Sequence, residues 1–184
     1  MIKYRLRPFA SLAILLLIAA TATETQSGKA SGTLVVNGKK VPIQHAYAVA
    51  YDTPNLGRVV SVLLSDKPMN PKTFQEYTRI GPGERYVPGL ISGAWVTMHV
   101  DDKAFSGFHF TIKDKSQATL GEVLVGSRDD NFGVLDEVLV LEGKSLTPPQ
   151  LVGRIRTKDA VADLGSTKVG IDLTFDVPVV TLGK

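Results

Sequence analysis

The chain contains no cysteine. That one absence removes thiol nucleophiles, cysteine-ligated zinc, disulfide staples and lipid attachment at a cleavage-site cysteine. Histidine is nearly as scarce, with three residues, and tryptophan occurs once, as Trp95. Aromatic residues are 7% of the chain, which leaves little for the sugar platforms that would accompany a paired-carboxylate glycosidase groove. No G-x-S-x-G elbow, H-E-x-x-H helix, P-loop or dinucleotide fingerprint is present. A Ser-His-Asp triad can still assemble from dispersed residues on a β fold, so signature-bearing families are excluded but hydrolysis as a chemistry is not. Long helical periodicity is also missing.

The excess of basic charge is confined to one end. Lys3, Arg5 and Arg7 precede an apolar run from Leu12 to Ala20, and Ala20-Thr21-Ala22 supplies a small-x-small pattern. This is the order of a secretory signal peptide, with cleavage expected after Ala22. The apolar run is well short of the roughly 20 residues that span a bilayer. Without those three cations the 21 basic residues become 18, equal to the 18 acidic ones. The remaining chain is formally neutral, and its one basic cluster is Lys39-Lys40 in a turn. Nucleic-acid binding, which needs clustered cations to collect phosphates, is not expected. The expected organisation is a signal peptide at 1–22, a flexible polar segment at 23–31 and a single β domain at 32–184, exported to the periplasm or secreted, with no membrane span after cleavage.

Within that domain apolar residues recur with a period close to two. The clearest case is 168–180, where Val169, Ile171, Leu173, Phe175, Val177 and Val179 alternate with Lys168, Asp172, Thr174 and Asp176. Pro178 suits an edge strand or a strand end. Further strands are expected at 33–36, 40–51, 59–64, 94–101, 105–113, 119–125, 134–141 and 150–157. Turn chemistry separates them, at Asn37-Gly38, Asp101-Asp102, Asp129-Asp130-Asn131, Glu142-Gly143 and Leu164-Gly165-Ser166. About nine strands without crossover helices predict an all-β fold, an antiparallel β-sandwich or barrel-like domain. One short helix is expected, capped by Asn70 with Pro71 at its first position and running to Arg79. It would cover the core with Phe74 and Tyr77.

Asn37-Gly38 is a hairpin signal, because a type I′ turn needs φ > 0 twice. It sets Val36 opposite Lys39 and Leu34 opposite Val41, with Gly32 near Ile43. Simple alternation then gives His45, Tyr47, Val49 and Tyr51 the apolar phase of Ile43, unless a bulge at Pro42 reverses it. On that phase His45 reads first as a hydrogen-bonded core residue. Ala46, Ala48 and Ala50 on the other phase imply close approach of a packed element.

The most chemical constellation is His99 with His109. A hairpin burying Val96, Met98 and Val100 together with Phe108, Phe110 and Ile112 places both histidines, with Asp101, on the opposite polar face, their Cβ atoms roughly 5–8 Å apart. Two imidazoles and a carboxylate can hold a divalent metal, zinc or copper, although an ordinary solvated face reads the same way. Ser127-Arg128-Asp129-Asp130-Asn131 resembles part of a calcium loop without its closing glutamate, and reads equally as a strand-connecting turn. Candidate ligand-binding loops are 81–89, with Glu84, Arg85 and Tyr86, and 128–132, with Arg128 and Asp130. Arg154 and Arg156 alternate outward, as do Asp172 and Asp176, so cross-strand ion pairs follow if their strands pair.

The stretches GTLVVNGKKVPIQHAYAV, VVSVLLSDKPM and DLTFDVPVV together resemble a group of exported bacterial all-β proteins without assigned function. The resemblance implies an exported β domain and names no substrate. The leading expectation is a non-catalytic domain that binds a protein, a small molecule or a glycan, or assembles, in the envelope or outside the cell. The alternative is a metal-binding protein or metal-dependent enzyme using the His99/His109 face, a divalent ion being its one cofactor.

Overall fold

The computed structural model describes residues 27–53, 57–70, 74, 105–113, 117–125, 127–134 and 136–182. They form β1 (Gly28–Val36), β2 (Lys39–Pro42), β3 (His45–Thr53), β4 (Gly57–Ser65), β5 (Ser106–Lys113) and β6 (Gln117–Val125). β7 (Ser127–Val134), a 3₁₀ turn at Asp136–Val138, β8 (Leu139–Thr147), β9 (Gln150–Thr157), β10 (Ala162–Asp163) and β11 (Lys168–Thr181) follow. The main path of the sheet runs β7-β6-β5-β4-β3-β1-β11-β9-β8, with β2 beside β1 and β10 beside β11. The protein is all-β: one curled, almost wholly antiparallel sheet that makes a half-barrel. Among the described residues no helix is long and apolar enough to cross a membrane.

The Asn37-Gly38 hairpin forms as its chemistry requires. Asn37 has φ 50 and Gly38 has φ 81, and Val36 pairs with Lys39 and Leu34 with Val41. The turn is also anchored. The Asn37 amide donates to the Lys168 carbonyl at 2.8 Å, and the Lys168 amide donates to Asn37 Oδ1 at 2.8 Å.

The single strand expected over 40–51 is in fact two. The ladder breaks at Ile43-Gln44, where the Ile43 amide reaches the Gly32 carbonyl at 3.2 Å and the Gln44 amide the Ser65 carbonyl at 2.9 Å. One extra residue reverses the alternation. Val41 and Ile43 therefore share the main core with Ala46, Ala48 and Ala50, while Tyr47, Val49 and Tyr51 turn to the opposite face. His45 falls in the phase of the tyrosines, not of Ile43, and is half-buried. Small alanines suit the concave side of a curled sheet, where least room is left.

The main core fills that concavity. Phe108 stacks on Phe110 at 5.6 Å between ring centroids, and Phe110 meets Phe175 at 5.8 Å. Each buried ring contributes about 1.5–3 kcal/mol through removal from water. Phe108 lies over Gly121 and Phe175 over Gly153, positions where a Cβ would strike the ring edge.

β11 carries the predicted alternation, with Val169, Ile171, Leu173, Phe175, Val177 and Val179 buried and Asp172, Thr174 and Asp176 exposed. It is an interior strand, however, and not an edge. β1 and β9 flank it, and beyond β1 it pairs in parallel with β3, Val179 opposite Ala48. Pro178 sits where β11 exchanges β1 for β3, the place in the ladder where a missing N–H costs least. β1 itself begins at Gly28, inside the segment expected to be a flexible lead-in.

Three further expectations are corrected. The 127–131 segment, expected as a strand-connecting turn, lies within β7, across an irregularity in its ladder with β6, and carries Arg128 and Asp130 there. The strand expected over 134–141 is interrupted by the 3₁₀ turn at Asp136–Val138. Glu142-Gly143 lies within β8, and the reversal to β9 occurs at Pro148-Pro149 instead. Of the expected helix only Phe74 is described, its amide donating to the Asn70 carbonyl at 3.0 Å, one helical turn back. The strand expected over 94–101 lies outside the described residues.

Candidate functional site

His109 is the one member of the expected histidine pair that the structure describes; His99 and Asp101 lie outside the described residues, as do Glu84, Arg85 and Tyr86. Alternation places His109 on the face opposite Phe108 and Phe110, as expected, but that face is not solvated. His109 is 8% exposed. A second apolar layer of Tyr47, Val49, Tyr51, Val59, Leu63 and Leu124 surrounds it, with Met69, Phe74 and Phe105 packed over the layer. At the end of β4 and the start of β5 the Asp66 amide donates to the Ser106 carbonyl at 3.0 Å and the Ser106 amide to Asp66 Oδ1 at 2.9 Å.

Inside this layer Ser61 Oγ lies 2.6 Å from His109 Nε2. Sequence reasoning missed Ser61, although its odd position between Val59 and Leu63 is the available signal. Burial pushes the His109 imidazole down to about 4, so the ring is neutral at physiological pH. A serine–imidazole pair is half of a nucleophilic constellation. Ser61 is 1% exposed, however, and its hydroxyl faces the imidazole in the interior. Nearby, burial raises the Tyr47 phenol, and the Met69 amide donating to its oxygen at 2.7 Å draws it part of the way back. Among the described residues no group of three His, Cys, Asp or Glu side chains is placed to hold a metal ion.

The other concentration of polar groups is on the outer face of β1, β11, β9 and β8. A groove of about 640 Å³ crosses these four strands. Register defines its two walls. One row runs Lys29, Asp176, Val152 and Ser145, with Lys144 lining the groove beside its end; the other runs Ser31, Thr174, Arg154 and Glu142. Between them Ala30, Phe175, Gly153 and Gly143 turn their Cβ positions to the core side and leave backbone as the floor. Lys144 is the extra residue of a bulge in β8, between the Gly143–Gly153 and Ser145–Val152 pairings.

The walls are held by their own bonds. Arg154 donates through Nε and Nη2 to the two Asp172 carboxylate oxygens, each at 2.7 Å, and this holds the Asp172 carboxyl below its usual range. Arg156 Nη2 donates to Glu142 at 2.9 Å, and Gln150 Nε2 donates to Asp176. Ser31 Oγ and Thr174 Oγ1 are 2.7 Å apart. The expected Arg154/Arg156–Asp172/Asp176 pairing is thus realised for Arg154 with Asp172, while Arg156 and Asp176 find other partners. Among the described residues neither Lys29 nor Lys144 forms an ion pair. Sequence reasoning recognised Arg154, Asp172 and Asp176 as outward but not the groove, because only the strand order places β1 and β8 on either side of β11 and β9.

No family model, curated protein or solved structure matches this chain.

Proposed function

We propose that this chain is an exported, non-catalytic binding domain whose ligand lies in the groove across β1, β11, β9 and β8. The observation that carries the reading is the groove itself: two rows of mostly polar side chains on four paired strands, pre-organised by their own hydrogen bonds. Sites built on strands hold their groups in fixed geometry, so ligand binding costs little ordering. The residues that resemble nucleophilic machinery, Ser61 and His109, are packed away from solvent and serve the fold.

Thermal-shift screening against a panel of neutral and acidic oligosaccharides tests the groove. We expect at least one member to raise the Tm of the wild-type chain and to leave Thr174→Trp, whose indole would fill the groove, unshifted. A panel without effect on the wild type, or equal shifts in both chains, would remove the groove as the site. Export rests on Lys3, Arg5, Arg7 and the apolar run after them. Deleting residues 1–22 is expected to move the protein from the exported to the cytosolic fraction, and unchanged partitioning would contradict export by this segment.

A further inference from the structure

Resting on the groove as the binding site, we infer that its ligand is an acidic oligosaccharide lying across the strands, its carboxylate or sulfate groups held by Lys29 and Lys144. Hydrogen-bond supply and demand in the groove are unequal. Asp176 accepts from Gln150, and Glu142 accepts from Arg156, so each acid has part of its acceptor capacity already used. Arg154 commits Nε and one Nη2 hydrogen to Asp172 and keeps its other N–H donors. Lys29 and Lys144 keep all of theirs among the described residues. The groove is donor-rich, and an acceptor-rich ligand answers it.

The position of Lys144 is independent support. A bulge inserts one residue into a strand and re-aims a side chain, a device common beside functional sites. Here the inserted residue is the lysine, which lines the groove next to Ser145, the end of the row that begins at Lys29. Three strand spacings separate β1 from β8, so the two lysines stand roughly 14 Å apart, while the rows are roughly 7 Å apart along the strands. A lone phosphate or monocarboxylate cannot bridge that length. A single extended oligomer fits both dimensions.

A sugar chain suits the walls better than a peptide. The floor backbone of β11 and β9 is paired on both sides, which denies a peptide lying across these strands main-chain partners there. Sugar hydroxyls can instead donate to the free capacity of Asp176 and Glu142, and Val152 offers an apolar contact for a ring face. No aromatic side chain stands in the walls to stack a neutral sugar, which leaves charge as the main source of affinity.

Isothermal titration of the purified protein at low ionic strength, with trigalacturonate, the matching neutral galactose trimer and triglutamate, tests this. Trigalacturonate is expected to bind, the neutral trimer about tenfold or more weakly, and Lys29→Ala and Lys144→Ala each to lose about tenfold without change in Tm. Affinity should fall as salt is raised. Equal binding of the neutral trimer, abolished by Thr174→Trp, would leave the groove standing and overturn the acidic ligand. Triglutamate binding as tightly as the uronate would overturn the sugar class. Silence from all three probes, or full affinity in both lysine variants, would overturn the inference altogether.

Discussion

Lowering the pH from 6.5 to 5 is expected to destabilise the fold by roughly 2 kcal/mol through His109 alone. The folded protein holds this imidazole at about 4, against 6.5 when exposed, because burial penalises the charged ring. Between those two values the unfolded chain binds the proton and the folded chain refuses it. Stability therefore rises with pH across the window and falls on acidification, complete above 6.5 and lost progressively towards 4. Ser61 does not counter this. Its hydroxyl can satisfy a neutral Nε2 in either tautomer, but a neutral hydroxyl does not replace the water shell of an imidazolium. Urea denaturation of wild type and His109→Gln at steps from pH 7.5 to 5 reads the effect. The glutamine chain should start less stable and close the gap as the pH falls, since its carboxylates titrate as in the wild type while its amide does not. Parallel profiles for the two chains would show that His109 is not held neutral.

Replacing Gly32 with alanine is expected to cost about 3–5 kcal/mol, combining backbone strain with steric conflict. Gly32 has φ +130, a conformation that L side chains rarely adopt. A Cβ there would fall on the Asp172 carbonyl oxygen and 3.0 Å from the Leu173 Cα, both backbone of the neighbouring β11. Neither can yield without disturbing an interior strand of the sheet. Gly38→Ala is the matched control. It too has positive φ, +81, but nothing lies within 4 Å of the added Cβ, so its cost should be about 1 kcal/mol of strain. Denaturation midpoints of the two variants separate the contributions. Equal losses at the two glycines would show that β1 is not wedged against β11.

Much of the fold is legible in local pattern. Asn37-Gly38 specifies its turn and the register of β1 with β2, and the alternation from Val169 to Val179 specifies both faces of β11, because each depends on residues within a few positions of one another. The errors have a common origin. Ser127 to Asn131 is rich in turn-formers and still lies within β7, where the ladder with β6 is interrupted between Ser127 and Phe132. The Ile43-Gln44 break inverts a face that simple alternation carries straight through. His109 follows its expected phase, but phase identifies only which side a residue takes and not whether that side is covered. The second layer over Tyr47, Leu63 and Leu124 turns a polar surface into an interior.

The sequence by itself determined the all-β class, the period-two faces, the hairpin at Asn37-Gly38, and a charge balance and residue supply that argue against nucleic acid and thiol chemistry. These are statements about neighbours along the chain and about totals. Strand order, the burial of His109 beside Ser61, and the groove between Lys29 and Lys144 were decided only by the tertiary structure. Ser61 and His109 are 48 positions apart, and Ser31 and Thr174 are 143 apart. Nothing local links such residues. Ser31 and Thr174 meet because β11 settles beside β1, and Ser61 and His109 because β5 pairs with β4.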